Sequence, residues 1–520
     1  MSFPEASATV GPAKLHSAIV GSTTGAARIP VQTESRTLAI CLMAGLLLLL
    51  LRLLPAPDGL SDAGWAVAAL AAVMALLWLT EALPLALTAT LPFLLLPLMG
   101  VMPPADVAGL YWSPIIFLVL GGALVAIAVE THGMHRRFAL NIVRRAPASP
   151  RGLLFAFMVA TALVSMLVSN TASALIMMPV ALALVGVAGI GAHVPDGSAP
   201  GAPGAAGKAG IAGVAGFGTA LVLGIAYSAT IGGLGTLVGS PTNAISAGII
   251  EQSLGIKVDF VTWLAFGLPL VALAIPAAAL VLVWLFRIPA TSLDRRAVAD
   301  VLGHGGPMTS NQCRLLPLLG LLLAGWLVLP FLKGPLGLPP VEDGMVAIAV
   351  ALLLFVVPAQ GGGALLNWRD ATARVPWDIL LLFGGGLALA GAITESGFAG
   401  WIGGRMSGLG GLHPVVMALI VVAIVVLVTE FASNVAAASA FMPVVAAVAL
   451  ETGVVPLPLV MAAAFAASWG FMMPSGTPPN AIAFGTGLVR IHDMVRAGLL
   501  VNLFGIVLMV SVAYGVTALL

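Results

Sequence analysis

The sequence predicts an all-α polytopic membrane protein: about eleven transmembrane helices plus two re-entrant hairpins, in two inverted-topology repeats with broken helices. Three observations carry that prediction. Of the 520 residues, 60% are hydrophobic and 8% charged, against about 25% charged in a soluble domain. Lys and Arg segregate to one set of loops. Two polar motifs, each inside an apolar stretch, recur in the same order in both halves.

The first observation sets the class. A soluble fold could not hide this much apolar surface. With 21 Lys+Arg against 20 Asp+Glu, no net field draws in nucleic acid or an acidic partner. Cys41 and Cys313 supply neither a disulfide framework nor a metal knuckle.

A spanning helix needs roughly 20 mostly apolar residues. Such stretches fall at 37–54, 64–80, 85–103, 113–131, 210–250, 260–286, 314–332, 343–358, 377–396, 457–489 and 497–520. Two longer stretches, 152–191 and 412–455, each carry a Ser-Asn pair near the middle. Each reads either as two full spans or as one re-entrant hairpin. Two spans would require a turn in water at Ser169-Asn170 or Ser433-Asn434 with no charge to hold it there, which favours hairpins.

With the N-terminus inside and hairpins that do not change side, seventeen of the 21 Lys and Arg lie inside, leaving Arg52, Lys257, Lys333 and Arg405 outside. That obeys the positive-inside rule, and puts the N-terminus in the cytoplasm and the C-terminus outside, in a bacterial plasma (inner) membrane. Two-span hairpins would leave the other loops where they are, so this bias orients the chain without deciding re-entrance. Residues 1–36 read as a disordered cytoplasmic tail, 37–63 as a first span outside the repeats, 287–313 as a cytoplasmic linker, and His193–Gly210 as a flexible Gly/Pro linker.

Ser169-Asn170-Thr171-Ala172, leading to Met178-Pro179-Val180, recurs as Ser433-Asn434-Val435-Ala436, leading to Met442-Pro443-Val444, at an offset of 264. The same offset pairs Ser165 with Thr429 and Gly121-Gly122 with Gly385-Gly386. Downstream, Gly239-Ser240-Pro241-Thr242-Asn243 recurs as Gly476-Thr477-Pro478-Pro479-Asn480 at an offset of 237. Two ordered motifs matched twice point to duplication. The repeats run 64–286, with hairpin 152–191, and 314–520, with hairpin 412–455. Each holds five spans, an odd number, so the second copy is inverted. Inverted repeats with interrupted helices are the architecture of secondary transporters.

The motifs suit that task. Where a helix ends, unpaired carbonyls suit a cation; where one begins, unpaired N–H groups suit an anion. Ser and Asn cap helices, and their oxygens ligate hard cations. Pro and Gly in the second motif free carbonyls at membrane depth, tolerated only against protein or a wet cavity. Four breaks can enclose one anion and two cations. Taken singly, each Ser, Thr or Pro reads equally well as ordinary helix packing; the fourfold set does not.

Ser-Asn-Thr in a hairpin and Gly-x-Pro-x-Asn in a broken helix, both doubled, resemble the divalent anion/sodium symporter family of dicarboxylate, tricarboxylate and sulfate carriers. Trp78-Leu79-Thr80-Glu81-Ala82-Leu83-Pro84 and Pro114-Ile115-Ile116-Phe117-Leu118-Val119-Leu120-Gly121-Gly122 resemble further family signatures. The likeness covers residues 64–520. It implies a homodimer of eleven-span, two-hairpin subunits with an elevator mechanism and Na⁺ as coupling ion, without a cofactor. By the same resemblance, a first sodium site uses Ser165, Ser169, Asn170 and backbone near Gly239. A second uses Thr429, Ala432, Asn434 and backbone near Gly476. The anion lies between Ser169, Asn170, Thr171 and Ser433, Asn434, Val435, with Thr477 and Pro478 close by. The chain departs from the family pattern at Val435, where Thr is expected; a hydroxyl donor to the anion is missing.

The function implied is import of a C4-dicarboxylate such as succinate or malate, coupled to Na⁺. Alternatives are a sodium-independent exchanger, a proton-coupled carrier, or a sulfate or tricarboxylate substrate. A membrane hydrolase lacks a His at the depth of Ser169 or Ser433. Glu430 reads with equal force as an ion-path carboxylate or a structural one, and Glu130 and Glu395 as hydrated interface residues. All seven His are expected in tails or loops, offering no metal site. Gly232-Gly233-Leu234-Gly235 lacks the strand and Lys-Ser/Thr of a phosphate loop and reads as packing or unwinding. Trp65, Trp78, Trp112, Trp263, Trp377 and Trp401 are expected as interfacial anchors.

Overall fold

The computed structural model describes residues 34–187 and 205–519 except 291, 292, 294, 304, 305, 333, 334, 336, 338, 340 and 406–411, with backbone only at 34, 187, 205–215, 403 and 451. The expected tail lies outside these residues except for its last three. The expected linker lies outside them up to residue 204; from Ala205 the chain is helical.

The described chain is helical throughout, its one extended pairing an isolated bridge between Pro358 and Ala364. Among the described residues, seven helices are long and apolar enough to cross a bilayer: Ser35–Leu53, Asp62–Thr80, Pro104–Thr131, Gly216–Gly233, Phe260–Leu285, Trp377–Glu395 and Ile491–Thr517. Other expected spans are shorter or divided. The stretch 85–103 becomes Leu85–Thr88 and Leu91–Leu98, with Pro92 at the start of the second piece, where its missing N–H costs nothing.

Both motif-bearing stretches fold as helix–break–helix. Pro150–Ser165 is followed by Asn170–Val187, and Pro414–Thr429 by Asn434–Glu451. The Gly-x-Pro-x-Asn elements interrupt two further stretches. Helix Ala205–Gly233 resumes as Pro241–Leu254, and Pro456–Ala466 resumes as Pro478–Gly485. Pro at the first helical position pre-sets each restart.

Packing places these breaks together. The returning helix Asn170–Val187 packs on Pro478–Gly485, and its counterpart Asn434–Glu451 packs on Pro241–Leu254. Each hairpin therefore leans on the post-break helix of the other half. Close approach is bought with small residues: a Cβ on Gly121 would stand 2.7 Å from the Ala347 backbone, which lets Pro114–Thr131 lie against Asp343–Val356. The main apolar core runs through both halves, and a second gathers Trp78, Leu96, Val107 and Leu389.

Several expectations are corrected. Trp78 and Trp263 are fully buried rather than interfacial, because their indole N–H groups have work inside: Trp78 donates to Leu85 O at 3.3 Å and Trp263 to Leu234 O at 2.9 Å. His135 is buried in helix Met134–Arg144, against Val129 O at 3.1 Å, and His492 lies in helix Ile491–Thr517. Glu130 is not simply hydrated; it pairs with Arg374, which also donates to Thr131 Oγ1 at 2.9 Å. Glu395 is exposed.

Candidate cation and anion sites

Each hairpin presents the same oxygen arrangement beside a broken helix. Ser165, buried in the last turn of its helix, sets Oγ 2.7 Å from Asn170 Oδ1 and 2.6 Å from Ala229 O. Thr429 Oγ1, equally buried, lies 2.8 Å from Asn434 Oδ1 and 2.7 Å from Ala467 O. One hydroxyl hydrogen cannot serve two acceptors. Each cluster thus has an excess of oxygen lone pairs, the condition a hard cation satisfies.

Glycine lets the broken segments approach. A Cβ on Gly233 would collide with the Asn170 amide, and one on Gly239 would stand 2.5 Å from Gly233 O and 3.0 Å from Ser165 O. A Cβ on Gly470 would lie 3.2 Å from Thr429 O, and one on Gly476 3.3 Å from Met473 O. The structure therefore joins Ser165, Asn170 and Gly239, and sets Thr429 with Asn434 beside the segment ending at Gly476.

Sequence reasoning missed the residues that hold these segments open. Asn243 Nδ2 donates to Gly233 O at 2.7 Å and Thr236 O at 2.8 Å. Asn480 Nδ2 donates to Gly470 O at 3.2 Å and Met473 O at 3.1 Å. Both motif Asn residues act as staples across an unwound turn, and the side-chain oxygen of each is buried without a hydrogen-bond partner. The carbonyls of Ala229 and Ala467 were missed as well. The doubled motif contained the Asn signal, but nothing in its spacing said which carbonyls the amide would reach.

The expected anion residues divide by what their side chains already do. Ser169 Oγ accepts from Ala172 N at 3.2 Å and Thr477 Oγ1 from Asn480 N at 3.3 Å, so both cap helices. Ser433 occupies the cap position of Asn434–Glu451 without using its side chain there. Thr171 is half-buried in the first turn of its helix, Pro478 is exposed at the start of its own, and Ala432 is buried. Val435 is half-buried against both apolar cores, which gives the apolar residue at this position a packing role.

Glu430 is a structural carboxylate. It is 2% exposed and accepts from the backbone N–H groups of Phe471, Met472 and Met473 at 2.7, 2.9 and 3.2 Å. Asn502 Nδ2 donates to it at 2.5 Å. The acceptors of the same turn are also met, with Tyr227 donating to Phe471 O at 3.1 Å. A buried carboxylate so held keeps the N–H groups of an unwound segment satisfied.

Compared with known proteins, residues 34–519 match the model of the sodium:sulfate symporter transmembrane region. The chain belongs to that family, the divalent anion/sodium symporters. Members are transporters rather than enzymes, and this one is an integral membrane protein. Among family relatives, the sodium-dependent dicarboxylate transporter SdcS of Staphylococcus saprophyticus is 38% identical over 485 residues, covering 91% of this chain and 90% of its own. SdcS of Staphylococcus aureus strain USA300 is 36% identical over 483 residues, with the same coverage. Among solved structures, the YdaH transporter of Alcanivorax borkumensis superposes with a TM-score of 0.51 at 15% identity, covering 79% of this chain and 88% of that one; this likeness concerns the fold alone.

Proposed function

We propose that this symporter-family chain imports a C4-dicarboxylate, such as succinate or malate, together with sodium ions. One observation carries the reading: the Ser/Thr–Asn–carbonyl oxygen cluster is built twice, with matching distances, at two helix breaks. Relatives that share more than a third of its residues are named sodium-dependent dicarboxylate transporters.

In this reading Na⁺ is cargo and coupling ion. One ion sits among Ser165, Ser169, Asn170 and backbone near Gly239, the other among Thr429, Ala432, Asn434 and backbone near Gly476. Each cation draws a hairpin tip and a broken segment together. That step orders the N-termini of helices Asn170–Val187 and Asn434–Glu451, whose unpaired N–H groups favour a carboxylate. Binding of the anion then depends on prior binding of cation, which is the linkage a symporter needs. The hydroxyls of Thr171, Ser433 and Thr477 give the dianion directional partners, and Val435 supplies a methyl surface. Two monovalent cations offset the two charges of the anion, so the loaded site crosses the bilayer without a net burden from its cargo.

The chain works as a homodimer by an elevator movement, with the hairpins re-entrant, the two halves inverted, the N-terminus cytoplasmic and the C-terminus outside, in a bacterial inner membrane. The test is uptake of labelled succinate into proteoliposomes with an inward Na⁺ gradient and with choline in place of Na⁺. Accumulation against the succinate gradient only with Na⁺ is expected. Equal accumulation in choline would contradict sodium coupling, and no succinate transport in either condition would contradict the substrate.

A further inference from the structure

The two halves close the same junction with opposite chemistry. Met166 and Glu430 occupy equivalent places, one residue after Ser165 and Thr429, and Thr236 and Met473 are equivalent in the broken segments. In the first half, Thr236 Oγ1 donates to the Met166 carbonyl, a neutral link. In the second, Met473 has no hydroxyl, and the link runs the other way: the Glu430 carboxylate reaches back to three N–H groups of residues 471–473.

The exchange leaves a charge behind. Three amides and Asn502 satisfy the hydrogen bonding of Glu430, but they do not cancel its charge, and no Lys, Arg or His pairs with it among the described residues. A Cβ on Gly476 would stand 3.6 Å from Glu430 Oε2, so the carboxylate lies directly beneath the backbone assigned to the second cation. The matching position in the first half is the uncharged Met166.

We propose that Glu430 makes the two cation sites unequal: its fixed negative charge gives the site at Thr429 and Asn434 the higher sodium affinity, so that this site fills first and the one at Ser165 and Asn170 second. The inference rests on the sodium sites proposed above. A full charge within a few ångströms of a cation, in surroundings less polar than water, is a larger difference than any between the neutral ligand sets.

The test uses the purified full-length protein in detergent, with thermal unfolding followed across NaCl concentrations at ionic strength held constant with choline chloride. Two variants remove the charge: Glu430→Gln, and the double substitution Glu430→Met with Met473→Thr, which rebuilds the neutral link of the first half. Each is expected to raise the half-stabilising Na⁺ concentration about tenfold or more, while the KM for the anion, measured by uptake into proteoliposomes at saturating Na⁺, moves less than about threefold. A general loosening of the fold would move both.

An unchanged half-saturation in a monodisperse Glu430 variant, with a clear shift in Thr429→Ala, overturns the proposal and leaves the sites standing. No shift in Thr429→Ala or Ser165→Ala overturns both. Should neither Glu430 variant give monodisperse protein, the comparison of Ser165→Ala with Thr429→Ala in the native background decides. Tight Na⁺ stabilisation must survive the first and be lost in the second; equal loss or the reverse order overturns the proposal.

Discussion

Asn243 and Asn480 are one device built twice: each amide nitrogen bridges two backbone carbonyls three residues apart, at 2.7 and 2.8 Å in the first half and 3.2 and 3.1 Å in the second. Both residues are fully buried. The turn between the two carbonyls is not helical, and without the amide each would lose a partner.

Truncating either staple should therefore loosen the neighbouring oxygen cluster that is proposed to hold a cation. Leaving a buried carbonyl unsatisfied costs about 1–3 kcal/mol. Asn243→Ala and Asn480→Ala are each expected to lower the Tm of the purified protein and to need more Na⁺ to recover it. Unchanged Tm and Na⁺ dependence in both would contradict the staple role.

Gly233 should tolerate no side chain. Its Cβ would meet the Asn170 amide, 3.0 Å from Cγ, so Gly233→Ala forces Asn170 away from Ser165. Sodium-driven uptake is expected to fall at least tenfold. Gly45→Ala, where nothing lies within 4 Å of the new methyl, is expected to leave uptake unchanged. Equal activity in the two variants would argue against Asn170 as a ligand.

Much of this was legible in the sequence, and the reasons differ by element. The helix breaks were visible because Ser-Asn and Gly-x-Pro-x-Asn stand out against apolar surroundings and recur at constant offsets. Ser165 and Thr429 were found by the same offset. The partners that complete the clusters, Ala229, Gly233, Ala467 and Gly470, act through main-chain oxygens, on which side-chain identity leaves little mark. Glu430 could not be assigned from sequence because its partners are backbone N–H groups some 41 to 43 residues away. Trp78 and Trp263 misled because a Trp near the end of an apolar run reads as interfacial, and only the fold shows the carbonyl each one serves.

Val435 offers a gain-of-function prediction. It is nearly the same size as Thr and half-buried against both apolar cores, so Val435→Thr keeps the shape and adds a hydroxyl. A hydrogen bond to a charged group contributes about 1.5–3 kcal/mol, so the KM for the dicarboxylate is expected to fall several-fold or more. An unchanged or higher KM for every anion tried would contradict a place for residue 435 at the anion.

His135 predicts a pH dependence of stability. It lies outside the spanning segments, and burial holds its pKa below the ordinary value, partly offset by the Val129 carbonyl and Glu130. The unfolded chain then binds the proton more readily than the folded one. The contribution of His135 is present above the unfolded pKa near 6.5 and lost as pH falls through the lower folded value. Tm is expected to drop on acidification below about pH 6.5, and His135→Gln should show a smaller drop. Parallel curves would contradict the assignment.

The most direct test of two cations and one dianion in a shared site is the coupling ratio. Initial fluxes of radiolabelled Na⁺ and succinate would be measured together in the same proteoliposomes. At least two Na⁺ per succinate is predicted, with both fluxes lost in Asn170→Ala and Asn434→Ala. A ratio of one or less, or succinate flux that persists in both variants, would contradict the account.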